Sequence, residues 1–236
     1  MLSCENINVM DEPTDVAPNT RDAVLAAALE IVVDEGPNGL TVRRLATAAR
    51  TSTMSVYTHF GSIGGVAGAV VEHGFGMLGR TLAAAPRTGD ALSDLFGIAL
   101  TYLTFAREHP RLYTMMFQHS AADWSPGRRS DVVATGSPTT SAQGRAAFTL
   151  FLGALTRTDS DSTDSPAAPD GQRLALAAEL WSALHGNAML RIAGHLDTAD
   201  DSVAHSLLIA LAVGNGVDRA SAVSALTRAR TEAPEH

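Results

Sequence analysis

Apolar residues recur three and four positions apart along nearly the whole chain, and polar, glycine or proline breaks cut that pattern into separate helices. In "TRDAVLAAALEIVVDEGPNG", Val24, Ala27, Ala28 and Ile31 form one stripe, with Leu25, Leu29 and Val32 beside it. Thr20 is placed to cap this helix, and Gly36 and Pro37 to stop it. Thr41 caps "VRRLATAA", where Val42, Leu45, Ala46 and Ala49 share a face and Arg43 and Arg44 leave it. After the break at Arg50-Thr51, Ser52 caps "TMSVYTHF". Val56 and Phe60 turn inward there, leaving Thr53, Ser55, Tyr57, Thr58 and His59 outside. Ser62 caps a fourth helix, predicted from Ile63 to about Arg80.

Past "AAAPRTGD" the helices lengthen. "DALSDLFGIALTYLTFAREHP", the short "PRLYTMMFQ", "SAQGRAAFTLFLGALTR", "QRLALAAELWSALHGNAMLRIAGH", "DDSVAHSLLIALAVGNG" and "VDRASAVSALTRAR" all read as helical. "SAADWSPGRRSDVVATGSPTT" reads as a loop, and "TDSDSTDSPAAPDG" has the composition of a solvated, disordered linker. No segment alternates as a strand does. The expected fold is all-α. It has a disordered arm at 1–19, a three-helix helix-turn-helix domain with its connecting helix at 20–85, and a larger helical domain at 86–236. A disordered loop is expected near 157–170.

Charge sharpens this division. The chain carries a formal net charge of -8, which argues against binding nucleic acid through its whole surface. Yet Gly36 to Val71 holds no Asp or Glu, while Arg43, Arg44 and Arg50 fall within it. Two short helices joined by a tight turn, the second polar outside and free of acid, is the layout of a helix-turn-helix DNA reader. No apolar run is long enough to cross a membrane, and the N-terminus lacks the pattern of a secretion signal. Cys4 is the only cysteine, so no internal disulfide can form, which suits a cytoplasmic protein.

With these segments in order, the chain resembles the TetR/AcrR family of bacterial transcriptional repressors. The residues that carry the resemblance are "AALEIVVDEGPNGLTVRRLATAA", the spacing "S...VYTHF", and "LWSALHG" from Leu180 to Gly186. The last is similar to the Trp...His-Gly signature of one group of C-terminal ligand domains in that family. The resemblance implies that Thr41 caps its helix and touches phosphate, that Arg43 and Arg44 flank the groove, and that Ser52 caps the recognition helix. It places Thr53, Met54 and Ser55 at base edges, with Tyr57, Thr58 and His59 on the outer face of that helix and Tyr57 and His59 on phosphates.

The chain departs from the family pattern at three places. Arg50 and Thr51 stand where a glycine and an aliphatic residue are usual, Ile63 where a lysine is usual, and Gly64 and Gly65 where acids open the next helix. Arg50 is therefore expected in a left-handed conformation, supplying the cation that Ile63 does not. The glycines of the fourth helix read either as a soft connector or as close packing.

Enzymatic chemistry has little support. There is no His-Glu-x-x-His, no Cys/His cluster and no Gly-x-Ser-x-Gly elbow, so neither metal nor cofactor is expected. Phe105, Met116, Phe117, Phe148, Phe151, Trp181, His185 and Met189 are candidates to line a pocket for a hydrophobic or aromatic effector. The same residues suit a plain core, and His185 suits a hydrogen-bonded core histidine. The favoured reading is a homodimeric, ligand-responsive repressor of near-palindromic operator DNA. The second is a helical small-molecule-binding dimer whose DNA binding is weakened or lost, and the third a dimeric scaffold with neither activity.

Overall fold

A computed structural model of the chain describes residues 19–118, 136–158, 171–196 and 201–231. The expected arm (but for Asn19), most of the loop after the short helix, and the linker from 159 to 170 lie outside them. The described residues form helices joined by turns, with no strand: α1 (Thr20–Glu35), α2 (Val42–Ala48), α3 (Thr53–Phe60), α4 (Ile63–Ala83), α5 (Ala91–Glu108), α6 (Pro110–Gln118), α7 (Ala142–Thr158), α8 (Gly171–Ile192), α9 (Ser202–Gly214) and α10 (Arg219–Thr231).

The caps fall largely where side-chain chemistry puts them. Thr41, Ser52 and Ser62 each accept a hydrogen bond from the backbone N–H three residues on, in Arg44, Ser55 and Gly65. Thr20 does not cap α1. Asn19 accepts from the Arg21 N–H instead, and Thr20 is the first helical residue. Gly36, at φ +80°, ends the helix as expected.

α1, α2 and α3 pack around Val24, Ala28, Leu45 and Val56, all fully buried. Arg21 lies over the Phe60 ring at 5.2 Å and ties α1 to α3. α4 runs on past Arg80 to Ala83 and serves two cores. Its buried Val66, Val70, Phe75, Leu78 and Leu82 belong to one continuous apolar cluster that also holds the core of the larger bundle. α4 packs most extensively on α7, and its Glu72 carboxylate accepts from the Ala142 and Gln143 N–H groups at the start of α7. A carboxylate at that position satisfies helix-end donors and meets the positive end of the helix dipole.

Two of the α4 glycines are close-packed. A Cβ on Gly74 would lie 2.8 Å from the Met116 sulfur, and one on Gly65 would lie 1.9 Å from the Phe60 carbonyl oxygen. α5 is flanked by α7, α8 and α10, and α9 packs on α8 and α10. Arg111, at the start of α6, reaches back to α1 and donates to the carbonyl oxygens of Val33 and Asp34, each at 2.5 Å.

Candidate functional site

The turn between α2 and α3 is built on Arg50. Its N–H donates to the Thr47 carbonyl at 3.2 Å, and the Thr51 N–H donates to the Ala46 carbonyl at 2.8 Å. This is a Schellman closure, whose left-handed residue is usually glycine. Arg50 fills it with φ +51°, the one positive φ at a non-glycine among the described residues. The left-handed backbone expected from sequence is present, and the Arg50 side chain stands exposed beside α3.

α3 presents a polar face to solvent. Thr53, Thr58 and His59 are exposed, and Ser55 is half-buried. Met54 is 72% exposed and Tyr57 48%, so about half of the Tyr57 side chain is open to solvent. The Thr58 hydroxyl donates to the Met54 carbonyl at 2.9 Å and is thereby engaged within its own helix. Arg43 is exposed on α2. Arg44 is exposed as well, but its guanidinium donates through two nitrogens to the Glu35 carboxylate. That hydrogen bonding holds Glu35 below its ordinary pKa. A phosphate contact by Arg44 must therefore compete with Glu35, a partner that lies outside the acid-free stretch and that helical spacing does not reveal. Ile63 is half-buried against the core. Gly65 stands where no Cβ fits, so no acid can close a capping box with Ser62 in this backbone.

The candidate pocket residues gather in the larger bundle. Phe105, Met116, Phe148 and Phe151 are buried in its core, while Phe117, Trp181 and Met189 are half-buried against it. Tyr102 and Tyr113 share a hydrogen bond of 2.6 Å between their hydroxyls, and the Tyr113 hydroxyl meets His185 Nδ1 at 2.8 Å. Trp181 stacks on the His185 ring at 5.1 Å, and Phe117 meets it edge-on at 4.6 Å. Burial pushes the His185 pKa below its ordinary value, so the ring is neutral near pH 7. His185 is thus half-buried and hydrogen-bonded to Tyr113. Phe117, Phe148, Phe151 and Trp181 surround a void of about 20 Å³. That is the space of roughly one water molecule, too small for an aromatic ring.

The larger concavity lies elsewhere and contains none of these residues. It is a groove of about 740 Å³ between α5, α8, α9 and α10, with Leu100, Leu103 and Ile192 below and Arg107, Arg191 and Arg230 at its edges. Sequence reasoning missed it. The one local signal was Asn187, an amide within the apolar run of α8. Among the described residues no cluster of His, Cys, Asp or Glu could hold a metal ion, and no helix is long and apolar enough to cross a membrane.

Comparison with known proteins agrees with this arrangement. Residues 24–70 match the family model described as bacterial regulatory proteins, tetR family, and residues 95–213 match the tetracyclin repressor-like C-terminal domain. An uncharacterised HTH-type transcriptional regulator of Mycobacterium tuberculosis is 30% identical over 201 residues, covering 83% of this chain and 81% of the relative. A Rhodococcus sp. RHA1 protein of unknown function superimposes with a TM-score of 0.65 at 25% identity, covering 86% of this chain and 98% of its own. RolR, solved in complex with the ligand resorcinol, shares the fold with a TM-score of 0.59 at 16% identity, covering 92% of this chain and 95% of its own. From the acid-free α3 to the helical C-terminal bundle, the chain belongs to the TetR family of transcriptional regulators.

Proposed function

We propose that the protein is a ligand-responsive repressor that binds near-palindromic operator DNA as a homodimer and is released by a small molecule. The observation that carries the DNA reading is the outer face of α3, acid-free, exposed and flanked by Arg43 and Arg50. A two-fold dimer would present two such helices to half-sites about one helical turn, or a multiple, apart. Its interface is proposed at the outer faces of α8 and α9, where Leu190, Val203, Leu207 and Val213 are exposed. The effector reading is supported by the resorcinol complex of a fold neighbour. A regulator of this kind works where the genome is, which makes the cytoplasm its proposed location. Selection of bound fragments from genomic DNA, at stated salt, tests the reading. Failure to enrich any sequence would favour the small-molecule-binding dimer without DNA recognition.

Arg50 is proposed as the phosphate-binding cation of the turn. Arg50→Gly removes the charge and also relieves the left-handed strain, so the variant is expected to be more stable by roughly 1 kcal/mol and yet bind DNA less well. With one phosphate fewer neutralised by each subunit, the slope of log affinity against log salt should flatten by about 1.8 for the dimer. A variant with the wild-type slope would show that Arg50 only shapes the turn.

Met54 is proposed to read a thymine methyl, because it is the most exposed large apolar side chain among the described residues and sits in the first turn of α3. Uracil lacks only that methyl. Replacing the responsible thymine of a selected operator with uracil should cost wild type about fourfold per half-site, the worth of one buried methyl group. Met54→Ala should show no such loss. A wild-type protein indifferent to uracil at every half-site thymine would remove Met54 from base reading.

A further inference from the structure

Two observations converge on the groove between α5, α8, α9 and α10. The first is charge. Asp201 lies 2.8 Å from Arg191 and 3.8 Å from Arg107, and Arg230 lines the same groove. Three guanidinium groups thus face one carboxylate among the described lining residues, with His205 beside them, in a chain of net charge -8. The second is Asn187. It lines the groove, is only 4% exposed, and neither its amide nitrogen nor its amide oxygen has a hydrogen-bond partner among the described residues. A buried amide left unpaired is costly, and a polar partner arriving in the groove would remove that cost. The wall between these polar groups is apolar, formed by Leu100, Leu103, Ala106 and Ile192.

We propose that this groove is the effector site and that it takes a small amphipathic carboxylate, with a second polar atom meeting Asn187. The proposal rests on the effector reading above. The carboxylate would sit among Arg107, Arg191 and Arg230, competing with Asp201, while the apolar body covers the Leu100–Leu103 wall. The position also supplies a route to DNA. Arg107 and Pro110 line the groove, and the next residue, Arg111, holds the last carbonyls of α1. An occupant that shifts the corner between α5 and α6 acts on the first helix of the DNA-reading bundle.

Thermal unfolding of the full chain tests this with three matched pairs: decanoate and decanamide, 4-hydroxybenzoate and 4-hydroxybenzamide, 4-hydroxyphenylacetate and its amide. At least one carboxylate is expected to raise Tm by about 2 °C or more while its neutral amide does not. Arg230→Gln, a change at an exposed side chain, should reduce that shift, and Arg191→Gln should abolish it. Asn187→Ala needs no ligand for its first readout. Removing an unpaired amide should leave the Tm of the free protein unchanged or raise it by about 2 °C, and the carboxylate shift should shrink. Equal shifts from acid and amide, no shift from any carboxylate, shifts that survive both arginine changes, or an Asn187→Ala protein that melts lower would each overturn the proposal. Operator binding is measured separately. A protein that holds DNA but ignores carboxylates loses only the groove assignment; one that binds carboxylates in the groove but no DNA loses only the regulator reading.

Discussion

Leu207→Asp is expected to leave the protein a monomer at micromolar concentration. Leu207 is 37% exposed on α9, in line with Val203 one turn before it, and the helix carries no Asp, Glu or Arg. Leu190 stands exposed on the neighbouring α8. In a two-fold interface one substitution acts twice. Each subunit loses about 2 kcal/mol of apolar burial, and each new carboxylate must be desolvated or hold the interface open. Together these should weaken the proposed dimer by roughly a thousandfold or more. Sedimentation velocity reads the mass directly, and operator affinity should fall with it because one subunit offers only one recognition helix. A Leu207→Asp protein that sediments as an unchanged dimer would move the interface away from α9.

The second large effect is expected at Gly65. A Cβ there would sit 1.9 Å from the Phe60 carbonyl oxygen, and the obstacle is backbone rather than a side chain that can swing aside. Gly65→Ala must displace either the end of α3 or the start of α4. Overpacking of this kind costs about 3 kcal/mol, which lowers Tm by about 6–12 °C in a chain of this size. DNA affinity should drop further, because the displaced segment is the end of α3, the proposed recognition helix. Gly79→Ala in the same helix is the control. Its Cβ would meet Ala147 at an ordinary 3.8 Å, so the gain in helix propensity should stabilise by up to about 1 kcal/mol. Equal melting curves for the two variants would show that α4 glycines act through softness and not through contact.

These glycines mark where sequence reading stops. Helix positions followed from apolar spacing, and Thr41, Ser52 and Ser62 announced their helices because a cap is a contact between near neighbours. Asn19 took the place expected of Thr20, a one-residue shift that spacing does not resolve. Arg50 was legible as a strained position because the turn demands a left-handed residue there. The partnership of Arg44 with Glu35 was not, since it joins the end of α1 to α2 across a turn. The aromatic residues of the larger bundle were legible as interior. Periodicity cannot distinguish a filled interior from an empty one, and the void they enclose is about 20 Å³. The groove was invisible for a related reason. Arg107, Arg191, Asp201 and Arg230 come from three helices and the residue preceding a fourth, and no local pattern encodes their meeting.

The double service of α4 bears on how such proteins can be recombined. One end of the helix seats α1 and α3, while the rest is locked onto α6 and α7 through Gly74 and Glu72. A chimera joined after Ala83 would bring a foreign bundle against a helix whose outer face was shaped for α6 and α7. A chimera joined before Ile63 would instead hand α1 and α3 a helix lacking the glycine that Phe60 requires. Exchange of reading heads between relatives is therefore expected to succeed with crossovers inside α4, between Gly65 and Gly74, where each half of the helix keeps the neighbours it was built for.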